Sequence, residues 1–269
     1  MEDRNLLRAT FDRVASVYDE SRPGYPEALV EDVISLSVIQ PEGRVLEIGC
    51  GTGKATEPFA RRGYRILCVE LGESLAAFAR RRLAAYPRVE VLTGAFEDWK
   101  EEESAFDLVI SAEAFHWLDE ADAYRKIARS LRPGGALALF WNRPVQIDKS
   151  EGFFEAAQEV YRREAPELIK SHPPRLPHPD EVSGRADGIH ETSFFGAVTV
   201  RKYPWEAEYD ATGYTRLLST YSNHINLNDA SRERLLNGIA ELIDTEFGGR
   251  VIKGYLSVLY VAHARAGSP

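Results

Sequence analysis

The sequence predicts an α/β protein built on a doubly wound, mostly parallel seven-stranded sheet. Two observations carry this. Between Arg44 and Trp141, short and nearly continuous apolar runs alternate with helix-period segments. That is the pattern of parallel strands covered on both faces, with right-handed crossovers placing helices on each side. The second is a glycine-dense turn, GCGTG at residues 49–53, directly after the first apolar run and before a helical segment. Sheets of this kind bind ligands at such turns, beyond the carboxyl ends of their strands.

Taken in order, residues 26–38 predict a helix with Leu29, Val30, Val33 and Ile34 on one side. Strand-forming runs follow at 44–48, 65–70, 88–92, 106–111 and 136–141. Of the helices between them, the one after Gly53 is interrupted by Pro58, tolerable only near its first turn. The helix over 73–86 has an apolar stripe of Leu75, Phe78, Ala79, Leu83 and Tyr86, so at least two of Arg80, Arg81 and Arg82 face water. The helix over 120–131 takes Asp119 as its N-cap and stops at Pro133-Gly134-Gly135. Residues 151–170 read as a helix and 171–180, with four prolines, as a loop. A strand over 194–208, helices over 211–222 and 231–247, and a last strand over 255–264 complete the chain. The expected division is an N-terminal segment and helix at 1–40, a sheet core at 41–144 and 190–269, and a helical cap inserted at 145–189.

Composition narrows the function. The chain has 269 residues and a formal net charge of −9, which disfavours a non-specific grip on nucleic acid. Cys50 and Cys68 are too few for a disulfide framework, and no Cys/His group has metal spacing, so no metal is expected. The charged residues 1–10 hold no signal-peptide core, and no run of 18 apolar residues exists. These features predict a cytoplasmic protein away from membranes, monomer or homodimer.

The loop's chemistry depends on its spacing and its charge. G-x-G-x-G differs from the G-x-G-x-x-G of dinucleotide folds, since position 54 is Lys54, and the phosphate-binding P-loop pattern fails as well. Glu47 ends the strand below the loop, where a carboxylate repels a pyrophosphate and suits a cationic ligand. Glu70 ends the second strand, where an acid accepts hydrogen bonds from ribose hydroxyls.

Residues 45–53 (VLEIGCGTG) resemble the first motif of class I methyltransferases that use S-adenosylmethionine and release S-adenosylhomocysteine. The resemblance extends to about Asn142 and implies a Rossmann-like class I methyltransferase fold. It implies that Gly49, Cys50, Gly51 and Gly53 lie beside the methionine part of the cofactor, with Glu47 reaching it directly or through water. Glu70 inherits the ribose, and Leu71 packs on adenine. Many relatives carry an aspartate where this chain has Ala95, so backbone groups of Ala95 and Phe96 hold the base instead, with the Phe96 ring against its face. Ser111 closes the fourth strand at the cofactor. The following His116-Trp117 pair, with Phe11-Asp12 and Tyr18-Asp19-x-x-Arg22-Pro23, is similar to the type 11 branch that contains trans-aconitate methyltransferase. There the N-terminal segment folds over the cofactor, bringing Tyr18 and Arg22 to the methionine carboxylate or the substrate. The alternative is that Tyr18 and Tyr25 pack on the domain surface.

For the acceptor, His116 is the candidate base or orienter, since its ordinary pKa lies near neutrality; a packed histidine beside Trp117 is the other reading. Glu113 is a second candidate. Trp117, Arg143 and His224 are the candidate substrate contacts, Arg143 because a guanidinium binds an acidic group bidentately. Cys50 is a small loop residue, with no base beside it to make it a nucleophile. The sequence therefore predicts methylation of a small molecule, a carboxylic acid among the candidates. The competing readings are a methyltransferase acting on RNA or protein, and a cofactor-binding sensor or partner protein without catalysis.

Overall fold

The computed structural model describes residues 19, 21–150, 152–169, 175–183 and 187–265. Seven strands form one sheet in the order β3-β2-β1-β4-β5-β7-β6. They are β1 (Arg44–Ile48), β2 (Arg65–Glu70), β3 (Val89–Thr93), β4 (Phe106–Ala112), β5 (Leu131–Val145), β6 (Thr199–Asp210) and β7 (Arg250–His263). β1 to β5 pair in parallel, and β7 runs antiparallel to both β5 and β6. The strand order reverses between β1 and β4, so the loop after β1 opens at the switch point.

Alternating strand residues feed two cores. Val45, Ile66, Cys68, Leu108 and Ile110 face α1 (Glu27–Ser37), α2 (Thr56–Arg61) and α3 (Glu73–Arg82). Leu46, Ile48, Val109 and Leu137 face α4 (Glu120–Ser130) through Tyr124, Ile127 and Ala128. As predicted, the Asp119 side chain accepts from the Asp122 N–H at 3.2 Å and caps α4. Pro58 sits in the first turn of α2, where its missing N–H costs nothing.

β5 runs four residues past its predicted end, to Val145, because β7 is long enough to pair with all of it. β4 has already ended there, opposite Phe140, so Pro144 removes no ladder bond on that side. Pro204 is tolerated for the same reason on β6, the sheet's edge.

The helical cap draws on more chain than residues 145–189. α5 (Phe153–Glu164) and α6 (Pro166–Ile169) follow β5, and a short α7 (Asp187–His190) precedes β6. Between β6 and β7 stand α8 (Ala211–Leu218), α9 (Ser222–Ile225) and α10 (Asp229–Glu246). Phe153, Val160 and Tyr161 pack with Tyr214, Leu218, Leu235 and Ile239 into a third core. The apolar faces of α5, α8 and α10 cover one another, with Val251 of β7 and Tyr209 of β6 joining the cluster. Among the described residues no helix is long and apolar enough to cross a membrane, and no three His, Cys, Asp or Glu side chains group as metal ligands do.

Candidate active site

The loop after β1 and the segment before α1 enclose two adjoining lobes, of about 240 Å³ and about 220 Å³. Arg22, Gly49, Gly51, Ala112 and Glu113 border both. Together the lobes reach the size of small-ligand sites, roughly 300–1,000 Å³.

In the first lobe Glu70 is buried at the end of β2. Its two oxygens accept from the Gly51 and Gly72 N–H groups, each at 2.8 Å. These two backbone donors fix the carboxylate at the edge of the cavity. Leu71 and Phe96 line the same lobe. Trp99 stacks on the Phe96 ring at 5.8 Å, and Lys126 donates to the Phe96 carbonyl.

Two glycines explain the loop's sequence. Gly49 has φ +70°, and a Cβ there would stand 2.4 Å from the Ala114 Cβ. Gly51 has φ +56°, and a Cβ there meets no protein atom within 4 Å. Since Gly51 borders both lobes, the space a Cβ would fill is ligand space. A strand-end acid beside a bare backbone cradle fits S-adenosylmethionine.

The N-terminal strap crosses the second lobe. The Asp19 carboxylate is held by both Arg82 terminal nitrogens, at 2.6 and 2.9 Å. Arg82 thus anchors the strap while Arg80 and Arg81 stay exposed, a role the helical stripe did not reveal. Lys54 donates to the Arg22 carbonyl, and Asn142 Nδ2 donates to the Gly24 carbonyl at 3.0 Å. Arg22 donates to Thr220 Oγ1 at 2.9 Å and lies over the Tyr221 ring. The strap therefore folds over the loop, and Tyr25 lines the lobe with its ring edge-on to Phe140. Tyr18 lies outside the described residues.

Several expected contacts stand elsewhere. Glu47 is fully buried under the loop, on the face of β1 that meets Cys68 and Thr56, and lines neither lobe. Burial pushes its carboxyl up to about 7, helped by the nearby Glu70 and opposed by hydrogen bonds from Thr56 and Cys68. Among the described residues, Glu47 Oε1 has no hydrogen-bond partner. Ser111 spends its hydroxyl on the Ile48 carbonyl at 2.9 Å, tying β4 to β1. Gly53 packs on Leu83. The Ala95 carbonyl accepts the Asp98 and Trp99 N–H groups in a turn, leaving Gly94 and Phe96 at the lobe. Cys50 borders the second lobe, but its hydrogen bond with Cys68 and its burial push the thiol well up, against nucleophilic use.

Glu113 is the carboxylate on the wall shared by the lobes. It has φ +58° at the end of β4, a conformation that costs a non-glycine residue about 1–3 kcal/mol. Its Oε1 accepts the Asn142 N–H at 2.5 Å. Burial raises its pKa, opposed by that hydrogen bond and by Arg22 and Arg143.

Beyond Pro144 and Tyr221, which border the second lobe, lies a third cavity of about 570 Å³ under the cap. Arg143, Tyr161, Tyr214, His224 and Lys253 line it. His224 is 1% exposed, with Nε2 at 2.7 Å from the Tyr161 hydroxyl and Nδ1 at 2.8 Å from Asn223 Oδ1. Both ring nitrogens are engaged, so His224 braces the wall. His116 and Trp117 line the first lobe and not this cavity, and His116 Nδ1 accepts from the Trp141 indole at 3.2 Å.

Lys253 was missed in the sequence. Its ammonium lies 5.5 Å from the Tyr214 ring centre and 5.8 Å from that of Tyr255. Burial opposes its charge, but Tyr214 and Tyr221 outweigh burial and hold its pKa above the ordinary lysine value. Among the described residues, neither Lys253 nor Arg143 has a carboxylate within ion-pair distance. The cavity's Glu181 is held by Arg175 through two 2.7 Å hydrogen bonds.

Sheet order, glycine cradle and strand-end acid are features of class I methyltransferase domains, which bind S-adenosylmethionine. Residues 45–135 match the methyltransferase domain family. The chain is 33% identical over 139 residues to an uncharacterized methyltransferase of Mycobacterium tuberculosis (strain ATCC 25618 / H37Rv), covering 52% of this chain and 54% of that protein. It is 29% identical over 154 residues to a probable S-adenosylmethionine-dependent methyltransferase of Saccharomyces cerevisiae, covering 54% and 49%. The chain thus spans about half the length of the curated relatives it matches. Among solved structures, a putative type II methyltransferase from Anaeromyxobacter dehalogenans has a TM-score of 0.61 at 22% identity, covering 90% of this chain and 97% of that one. At this identity the likeness concerns the fold.

Proposed function

We propose that the chain transfers a methyl group from S-adenosylmethionine to a small molecule bearing an acidic group. The third cavity carries this reading. It adjoins the cofactor cradle and presents two cations, Arg143 and Lys253, with no carboxylate at ion-pair distance among the described residues. An anionic ligand in this cavity supplies the carboxylate or other acid that no described side chain brings to Lys253. The cap closes over this space with its own apolar core, a geometry for a small acceptor and not for an RNA or protein surface.

The cofactor supplies an electrophilic methyl on a sulfonium. When bound, it would pass that methyl to an ionised acceptor oxygen and keep the carbon–sulfur electron pair as the neutral thioether. A carboxylate acceptor becomes a methyl ester and needs no base. The residues bind, align and exclude water: Glu70 fixes the ribose, the strap covers the methionine end, and Arg143 and Lys253 aim the acidic group. His116 then orients the first lobe through Trp141.

The test is methyl transfer from labelled S-adenosylmethionine to small organic acids, each paired with its amide. Label on acids and not on amides supports the reading. Equal labelling of both would contradict the acidic acceptor.

A further inference from the structure

We propose that Glu113 reads the charge of the cofactor's sulfonium, so that the site favours the cationic methyl donor over the neutral thioether product. The inference rests on the cofactor assignment and not on the acceptor. Glu70 marks the ribose end in the first lobe, and Arg22 and Lys54 border the methionine end in the second. Sulfur joins ribose to the methionine chain, so it belongs at the wall that the lobes share. Glu113 is the acid on that wall.

Three observations set Glu113 apart from Glu70. Backbone donors engage both Glu70 oxygens, whereas a single backbone donor, Asn142 N–H, engages Glu113, at Oε1. Among the described residues no cation stands within ion-pair distance of Glu113. Its backbone is held at φ +58°, and strain of this kind collects at functional sites. Asn142 fixes the side chain: it also holds the strap at Gly24, and its Oδ1 accepts from Ser257 at 2.5 Å. A strained and braced carboxylate, with no cation at ion-pair distance among the described residues and Arg22 and Arg143 acting only from further off, has room for another positive charge beside it. The sulfonium brings one, and transfer of the methyl group removes it. Attraction to donor and loss of attraction to product then help empty the site after each turnover.

The titratable groups around Glu113 are Arg22 and Tyr25 of the strap, Cys50 and Lys54 of the loop, Glu70, His116, Tyr221 and Tyr255, with Arg143 acting from the end of β5. Burial keeps the Glu113 carboxyl above its ordinary range. At low pH it is neutral and blind to the sulfonium, and as pH rises through its titration the preference for donor appears. Binding the donor accordingly releases a proton.

Calorimetric titration of the whole chain with S-adenosylmethionine and S-adenosylhomocysteine, from about pH 4 to about pH 8, tests this. The donor-to-product affinity ratio should rise with pH, and E113Q should cut it about tenfold or more while product affinity stays within about twofold. E113D, which keeps the charge, should retain the preference. If E113Q fails to fold, proton release by the wild-type chain in two buffers of different ionisation enthalpy decides: donor binding should release more than product binding. A ratio unmoved by E113Q, equal weakening of both ligands, or equal proton release overturns the proposal. A pH dependence of the ratio that persists in E113Q has another source and overturns it too. Failure of the wild-type chain to bind either ligand would overturn the cofactor assignment itself, a distinct result.

Discussion

Replacing Gly49 and Gly51 in turn by alanine should separate fold from function within one loop. Both residues are left-handed, at φ +70° and +56°, a conformation that costs an alanine roughly 1–2 kcal/mol. At Gly51 that is the whole cost to stability, because the new Cβ meets no protein atom within 4 Å. At Gly49 the Cβ arrives 2.4 Å from the Ala114 Cβ. Neither carbon ends a flexible chain, so the loop or the β4 end must shift, adding about 1–3 kcal/mol. G49A should therefore lose about 2–5 kcal/mol, a fall of roughly 5–15 °C in Tm for a chain of this size, and G51A only about 3–6 °C. Affinity should run the other way for Gly51, since the methyl group enters the ligand's space. Thermal unfolding and cofactor titration on both variants measure this. The reasoning is refuted if G51A keeps wild-type cofactor affinity, or if G49A is as stable as G51A.

Three further outcomes follow from the site. Glu70→Gln places an amide N–H₂ against the Gly51 or Gly72 donor and should weaken cofactor binding about 10- to 100-fold, read by calorimetry. The Glu47 carboxyl rises from 4.5 to about 7 on folding, so folding favours its protonated form. Its contribution is whole below about pH 4.5, shrinks as pH rises and is gone above about pH 7, a span of about 3 kcal/mol. Glu47→Gln should flatten that part of the stability profile in denaturant titrations at acid and alkaline pH; a profile parallel to wild type would show that Glu47 is not its source. Lys253→Met keeps the stem and removes the ammonium, so KM for an acidic acceptor should rise about tenfold or more with cofactor affinity unchanged.

The sheet was legible because each core strand is apolar on both faces, and apolar strands between amphipathic helices admit few architectures. The loop was legible because glycines that need positive φ leave a mark in the sequence. The cap was only half legible. The helices at 211–246 carry ordinary apolar stripes, and nothing local says that those stripes meet α5 and not the sheet. Glu47 was assigned to the ligand because it ends a strand, but which face it takes depends on β1 pairing, and that face is packed against Cys68 and Thr56. Lys253 lies in a strand and looks like an edge lysine; its cavity exists only once α8 and β7 have folded together. Glu113 was a secondary candidate, because a left-handed glutamate is invisible in sequence. The Asp19–Arg82 pair joins residues 63 apart, beyond the reach of local patterns.

The most direct test of the central claim is the fate of the label when the chain is given methyl-labelled S-adenosylmethionine and a whole-cell extract, then separated by size. Label in the small-molecule fraction, recovered on an acidic compound and reduced in the Lys253→Met variant, is the predicted result. Label in RNA or protein, or none transferred by a chain that binds the cofactor, would contradict it.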